Sequence, residues 1–240
     1  MKRALSLIML SIMLLSVILS VTACSDSGEI NSAITNTVGL TSLDADVFTK
    51  ISVDIGNKTQ NYELVEEILI SGNKVQLTKG EYGSQGDTVY MDGEYVYTKN
   101  DSGYTKSSLD EYIKENGSYD EKINGLLKKL PSSFFEDADI SKTGKKLNME
   151  KDVDAEMLTG TFEELLDLLQ KEMGLDVDDP EKTEYKDCKL VLTVKDGYIT
   201  EMSLQYNMLF TSGKKKSTAN IKTAVFVSNP GGEVTVDIPQ

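Results

Sequence analysis

From Asp44 onward, apolar and polar residues alternate with a period of two. Val47, Thr49, Ile51, Val53 and Ile55 hold one set of positions, and after Gly56-Asn57 the set resumes at Tyr62, Leu64, Glu66, Ile68 and Ile70. Successive side chains of a strand point to opposite faces, so the pattern predicts two long paired strands with one buried face. Asn73 to Lys79, Asp87 to Met91 and Glu94 to Lys99 continue the alternation, divided by Gly-containing turns of which Asp92-Gly93 is the clearest. Tyr90, Tyr95, Tyr97 and Tyr104 crowd this stretch. They suit cross-strand packing or a recognition surface, and the pattern leaves open which face they take.

The period changes in the middle of the chain. Ser107 can cap a short helix through Tyr112 and Ile113, and a second helix is predicted from Tyr119 to Leu130, stopped by Pro131. The third has the strongest signal. Thr161 and Glu164 form a capping box, and Phe162, Leu165, Leu166, Leu168, Leu169 and Met173 make a broad apolar face that ends before Gly174. A face so wide has to pack on something.

The last third offers a surface for it. Leu190, Leu192 and Val194 alternate, and so do Tyr198, Thr200, Met202, Leu204, Tyr206 and Met208 after Asp196-Gly197. A two-residue turn would set Leu192 against Glu201. A three-residue loop with Gly197 in the left-handed conformation sets Leu190 against Met202 and keeps one apolar face, so a bulged hairpin of that kind is expected. Ala219 to Ser228 and Val234 to Ile238 read as further strands, with Lys214, Lys215 and Lys216 at a solvated tip. About ten strands in meander order, with helices inserted near the middle, predict a layered α+β fold rather than alternating βα units.

The opening of the chain follows other rules. Lys2 and Arg3 precede an apolar run from Ala4 to Val21, and the run ends at Val21-Thr22-Ala23-Cys24. That order reads as an export signal over residues 1–23, with Val21, Thr22 and Ala23 as the signal-peptidase recognition residues. A retained transmembrane helix, or an ordinary signal with an incidental Cys, are the competing readings. A Cys after such small residues resembles the lipobox of bacterial lipoproteins. In that family the Cys sulfur receives a diacylglycerol by thioether linkage and becomes the new N-terminus. On this resemblance Cys24 is the lipidation site, and two acyl chains would hold the protein stably at a membrane. Residues 24–28 are then the anchor and a short tether, and Ile30, Ala33, Ile34, Thr37 and Val38 make the stripe of an N-terminal helix that ends at Gly39.

Composition removes many activities. The chain of 240 residues has 25 Lys plus Arg against 39 Asp plus Glu, a net charge of −14 that argues against nucleic acid as a partner. His and Trp are absent and Arg3 is the single arginine. Without His there is no Ser-His-Asp or Cys-His arrangement and no His-ligated zinc. No catalytic residue, cofactor or metal site is predicted. Asp176, Asp178, Asp179 and Glu181 suggest oxygen ligands for calcium but lack the Gly and distal Glu of an EF-hand loop, so a solvated acidic loop is expected. With Cys24 lipidated, Cys188 has no partner for an intramolecular disulfide and reads as a half-buried strand residue.

Several short features occur together: the lipobox, the N-terminal helix, Thr41-Ser42-Leu43 leading into a long strand, the Met91-Asp92-Gly93 hairpin with Tyr95 and Tyr97, the inserted helices, and the closing Val236-Asp237-Ile238-Pro239. Together they resemble bacterial lipoproteins of the LolA/LppX-like superfamily over most of Ile30 to Gln240. The resemblance implies a single α+β domain over residues 29–240, a curved antiparallel sheet forming an incomplete barrel with helices packed on its concave face. Some members of the superfamily carry lipids or acyl chains in the space between.

The expected function is a membrane-anchored, extracytoplasmic and non-catalytic binding module for a lipid-like or other hydrophobic small molecule. Its ligand face would comprise Phe162, Leu165, Leu166 and Leu169 on the helix, and Leu190, Leu192, Val194, Met202, Leu204 and Met208 on the sheet. The bland reading is that the two surfaces fill each other as core. The alternative function is a structural lipoprotein that docks another envelope protein.

Overall fold

The computed structural model describes residues 26–55, 57–84, 86–116, 119–154, 169–170, 173–178 and 182–239. The signal-peptidase residues Val21, Thr22 and Ala23, the lipidation site Cys24, and Phe162, Leu165 and Leu166 of the expected ligand face lie outside the described residues.

Eleven strands form one antiparallel sheet. They are β1 (Ser42–Ile55), β2 (Lys58–Ser71), β3 (Lys74–Glu81), β4 (Asp87–Met91), β5 (Tyr95–Asn100), β6 (Gly103–Ser108), β7 (Asp139–Thr143), β8 (Lys146–Asp152), β9 (Glu184–Lys195), β10 (Tyr198–Ser212) and β11 (Lys215–Val227). The order across the sheet is β6-β5-β4-β3-β2-β1-β11-β10-β9-β8-β7. The chain thus builds one half outward from β1 and the other from β7 inward to β11. The two halves join where β1 pairs with β11 over eleven residue pairs, from Ala45↔Val227 to Ile55↔Ser217. The sheet does not close, and its edges are the short strands β6 and β7.

Helices α1 (Asp26–Val38), α2 (Leu109–Asn116) and α3 (Tyr119–Lys129) accompany it, with a 3-10 turn at Ser132–Phe135. Asp26 and Glu29 in the first turn of α1 suit the positive end of its dipole. Its buried residues Ile30, Ala33 and Thr37 lie on one stripe that rests on β10. Side-chain hydrogen bonds fix this helix at three places. Thr37 Oγ1 accepts from the Ile199 amide at 2.8 Å, Asn36 Nδ2 donates to the Gly197 carbonyl at 2.9 Å, and Asn31 Nδ2 donates to the Ser132 carbonyl at 3.1 Å. An ion pair from Lys142 to Glu29 at 2.7 Å adds a tie to β7.

Three expectations need correction. The β9–β10 hairpin has a two-residue turn, Asp196 and Gly197, at φ 51° and 81°. The register shifts one step later, between Ile199 and Glu201, so Met202 faces Leu192 and Leu204 faces Leu190. A bulge does rescue the apolar face, but it lies at Thr200 rather than in the loop, because the two positive-φ residues already make a turn whose twist fits the strands. Secondly, Val234 to Ile238 is irregular: Val236 alone is buried, and the segment from Ser228 to Gly232 is held to the start of β1 by Ser228 and Gly231 amides donating to the Asp44 and Ser42 carbonyls. Thirdly, β7 and β8 are two further strands that were not expected.

Candidate functional site

The register assigns every strand residue to a face. Inward, toward the helices, point Leu43, Ala45, Val47, Ile51 and Val53 of β1, and opposite them Val227, Val225, Ile221 and Ala219 of β11. The row continues through Met202, Leu204, Tyr206, Met208 and Phe210 of β10 to Leu190, Leu192 and Val194 of β9, and then to Leu147 and Met149 of β8. On the other side it runs through Leu64, Ile68 and Ile70 of β2, Val75 and Leu77 of β3, Met91 of β4 and Val96 of β5. These residues belong to one apolar cluster together with Ile30, Ala33, Leu127, Phe134 and Phe135 from the helical layer; Leu64 is buried beside it.

The structure therefore brings together six of the predicted ligand-face residues: Leu190, Leu192, Val194, Met202, Leu204 and Met208 share the inner face and are all buried. Leu169, the one helix residue of that set among the described positions, is fully buried in the same cluster. Sequence reasoning missed Leu147 and Met149, which face Val194 and Leu192 from β8. Their alternation was there to be found, with the Thr143-Gly144-Lys145 turn before them, but Lys145, Lys146 and Lys151 dilute it. It also missed the adjacent aromatic pair Phe134 and Phe135, whose rings meet edge to face at 5.1 Å.

Polar side chains also lie on this apolar face, among them Glu66 and Tyr206. Glu66 faces Val47 on one side and Lys79 on the other, and it is 5% exposed. Tyr206 is nearly fully buried, its ring 6.2 Å from that of Tyr185, and burial holds its hydroxyl far above the usual tyrosine range. Cys188 sits at the second irregularity of β9 and β10 and is buried more fully than the half-buried state expected. Burial, with Asp187 and Asp154 nearby, raises its thiol pKa.

The open question of the tyrosine hairpin is answered by register. Val89, Met91 and Val96 point inward, so Tyr90, Tyr95, Tyr97 and Tyr104 all point outward. Tyr95 and Tyr104 are 38% and 42% exposed. Lys106 lies 3.5 Å from the centroid of the Tyr95 ring, and the Tyr90 and Tyr104 rings meet at 5.9 Å. The Tyr97 hydroxyl donates to Asp92 Oδ2 at 2.6 Å, and the Tyr95 and Glu94 amides donate to Oδ1, which together hold the Asp92 carboxyl below the usual carboxylate range. This aspartate organises its turn.

The acidic stretch before Pro180 is partly described. Asp178 accepts from the Gly213 and Lys214 amides at 3.0 and 2.9 Å, capping the β10–β11 turn, and Asp176 accepts from Gln170 Nε2 at 3.0 Å. Asp179 and Glu181 lie outside the described residues. Among the described residues no three metal-capable side chains cluster, and no helix is long and apolar enough to cross a membrane.

No protein-family model matches the chain, and no curated protein matches it. Among solved structures the chain is similar to the lipoprotein LppX of Mycobacterium tuberculosis, at 12% identity over 88% of this chain and 97% of that one, with a TM-score of 0.43. It is also similar to a LolA superfamily protein of Nitrosomonas europaea, at 9% identity over 88% and 94%, with a TM-score of 0.25. Lipovitellin, in a structure described for its lipid–protein interactions, aligns at 9% identity over 82% of this chain and 26% of its own length, with a TM-score of 0.32.

Proposed function

We propose that the chain is an extracytoplasmic lipoprotein, anchored through Cys24, whose domain is a non-catalytic binding module for a lipid-like or other hydrophobic molecule. The observation that carries the reading is the inner face of the sheet, apolar from Val96 on β5 across to Leu147 and Met149 on β8. An open sheet with so wide an apolar face needs a large cover, and α1 rests on β10, on one part of it. Met91, Met149, Met202 and Met208 lie on that face, and methionine adapts its shape to irregular neighbours. Between this face and its cover an acyl chain would replace side chain-to-side chain contact with side chain-to-ligand contact.

The test is to purify the full chain from membranes in mild detergent and measure two things by mass spectrometry. The intact polypeptide is expected to begin at Cys24 with the mass of a diacylglycerol added, and solvent extraction is expected to release one lipid species in stoichiometric amount. A chain that begins at Met1, or a Cys24→Ser variant that still needs detergent, refutes the anchor. An extract holding only a bulk lipid mixture, far from stoichiometric, refutes the carrier.

A second reading, docking of another envelope protein, is favoured by one feature: the outward tyrosine surface of β4 to β6, which ends at an open sheet edge. Crosslinking in intact cells tests it, with Tyr95→Ser and Tyr104→Ser expected to abolish a reproducible crosslinked product.

A further inference from the structure

The outer face of the sheet has a groove of its own, across the seam between β2, β1 and β11. Phe48, Val65, Tyr82, Ala224 and Phe226 line it, with Lys50, Glu63 and Lys222 at one side, and it encloses about 260 Å³. Phe48 and Phe226 meet edge to face at 5.7 Å, and Phe226 and Tyr82 are 38% and 68% exposed. Aromatic rings left open on the solvent side of a sheet, around a concavity, leave apolar surface unburied.

Charge across the groove is ordered in rows by the register. Glu63, Lys50 and Lys222 form one cross-strand row. Val65, Phe48 and Ala224 form the next, and Glu67, Asp46, Phe226 and Glu201 the third. Within the first row Lys50 is ion-paired to Glu63 at 2.6 Å, whereas Lys222 faces Lys50 and Gln205 and has no ion partner among the described residues. Like charges directly opposite one another on neighbouring strands repel. The third row is acidic, and burial beside Asp44 raises the Asp46 pKa. One end of the apolar trough thus carries a lysine, Lys222, with no ion partner among the described residues, and the other end repels an anion.

We propose that this groove binds a small amphipathic carboxylate, its hydrocarbon part on Phe48, Phe226, Val65 and Tyr82 and its charge on Lys222. The volume bounds the size of what fits inside: 260 Å³ corresponds to about nine water molecules, room for a ligand of about ten non-hydrogen atoms. The acidic row fixes the direction in which the ligand lies. The site is on the opposite face from the apolar cluster and stands or falls independently of the proposed lipid carrier.

The experiment is calorimetric titration of the full chain in lipid nanodiscs with 3-phenylpropionate, empty nanodiscs being subtracted. A ligand of this size is expected to bind with a dissociation constant on the order of 0.1–1 mM. Lys222→Gln, an exposed change whose fold is checked by circular dichroism, is expected to weaken binding about three- to tenfold, and Lys222→Arg to restore it. Phe226→Ala should weaken it as well. Equal binding of 3-phenylpropionamide or 3-phenylpropylamine, binding unmoved by Lys222→Gln, or no heat above the empty nanodiscs would each overturn the proposal. Tighter binding of an acetylated tripeptide ending in Phe than of the free acid would overturn it in favour of a protein terminus.

Discussion

Replacing Thr37 by Val exchanges a hydroxyl for a methyl of the same shape and isolates one structural tie between α1 and the sheet. The hydroxyl donates to the Ala33 carbonyl at 2.8 Å and accepts from the Ile199 amide at 2.8 Å. The Ala33 carbonyl keeps its backbone partner within the helix. The Ile199 amide keeps nothing, because pairing of β10 with β11 stops at Glu201↔Phe226 and Ile199 is buried. An orphaned buried donor costs about 1–3 kcal/mol, and in a domain of this size each kcal/mol moves Tm by about 2–4 °C. Taking about 2 kcal/mol, Thr37→Val is expected to lower Tm by about 4–8 °C in differential scanning calorimetry. It should also speed hydrogen exchange at Ile199. Thr37→Ser keeps both bonds and loses one methyl, for a cost of about 0.8 kcal/mol. If Thr37→Val melts within about 1 °C of the parent, or is no worse than Thr37→Ser, then the tie contributes nothing and the reasoning fails.

Three further outcomes follow from the geometry. The Asp92 pKa is lowered in the folded state by Tyr97 and two backbone amides, so its contribution to stability is present above the usual carboxylate pKa and lost as pH falls through the folded value. Tyr97→Phe is expected to raise that pKa in a carbon-detected NMR titration and to flatten the acid limb of the stability profile. Gly86→Ala would place a Cβ 2.8 Å from the Lys79 carbonyl oxygen, so it should shift the urea midpoint downward by the equivalent of about 1–3 kcal/mol; an unchanged midpoint would contradict the close approach of β3 and the start of β4. Asp178→Ala removes the acceptor for the Gly213 and Lys214 amides, and faster exchange at those two amides with the remainder of β10 and β11 unaffected is the expected result.

How much of this was legible depended on the strength of each local signal. The Asp92-Gly93 hairpin and the helices after Ser108 and before Pro131 have turn and stop residues that act locally, and they fall where expected. Asp139–Thr143 carries one aliphatic residue, Ile140, among charges and hydroxyls, so β7 is a strand because β8 offers it an edge and not because of its own propensity. The reverse holds for Val234 to Ile238, a good strand pattern left without a partner, since both neighbours of β1 are already taken. The inward set on β9 and β10 was legible because six residues keep one parity through the bulge. The outer groove was not, since Phe48 and Phe226 are 178 positions apart and only the β1–β11 register makes them neighbours. Glu66 was visible as a break in an apolar series, but its burial depends on what covers the face.

The seam also sets an order of events during synthesis. Every strand from β1 to β6 finds its partner in the next hairpin, whereas Thr49 and Thr223, which meet at the seam, are 174 residues apart. The front half of the sheet can therefore assemble early and must then wait, with β1 as a bare edge fourteen residues long and its greasy side uncovered, until β11 has emerged. A chain cut short before Lys215 would strand it in that condition permanently, so truncation upstream of β11 leaves the cell a sheet with nothing to close its seam.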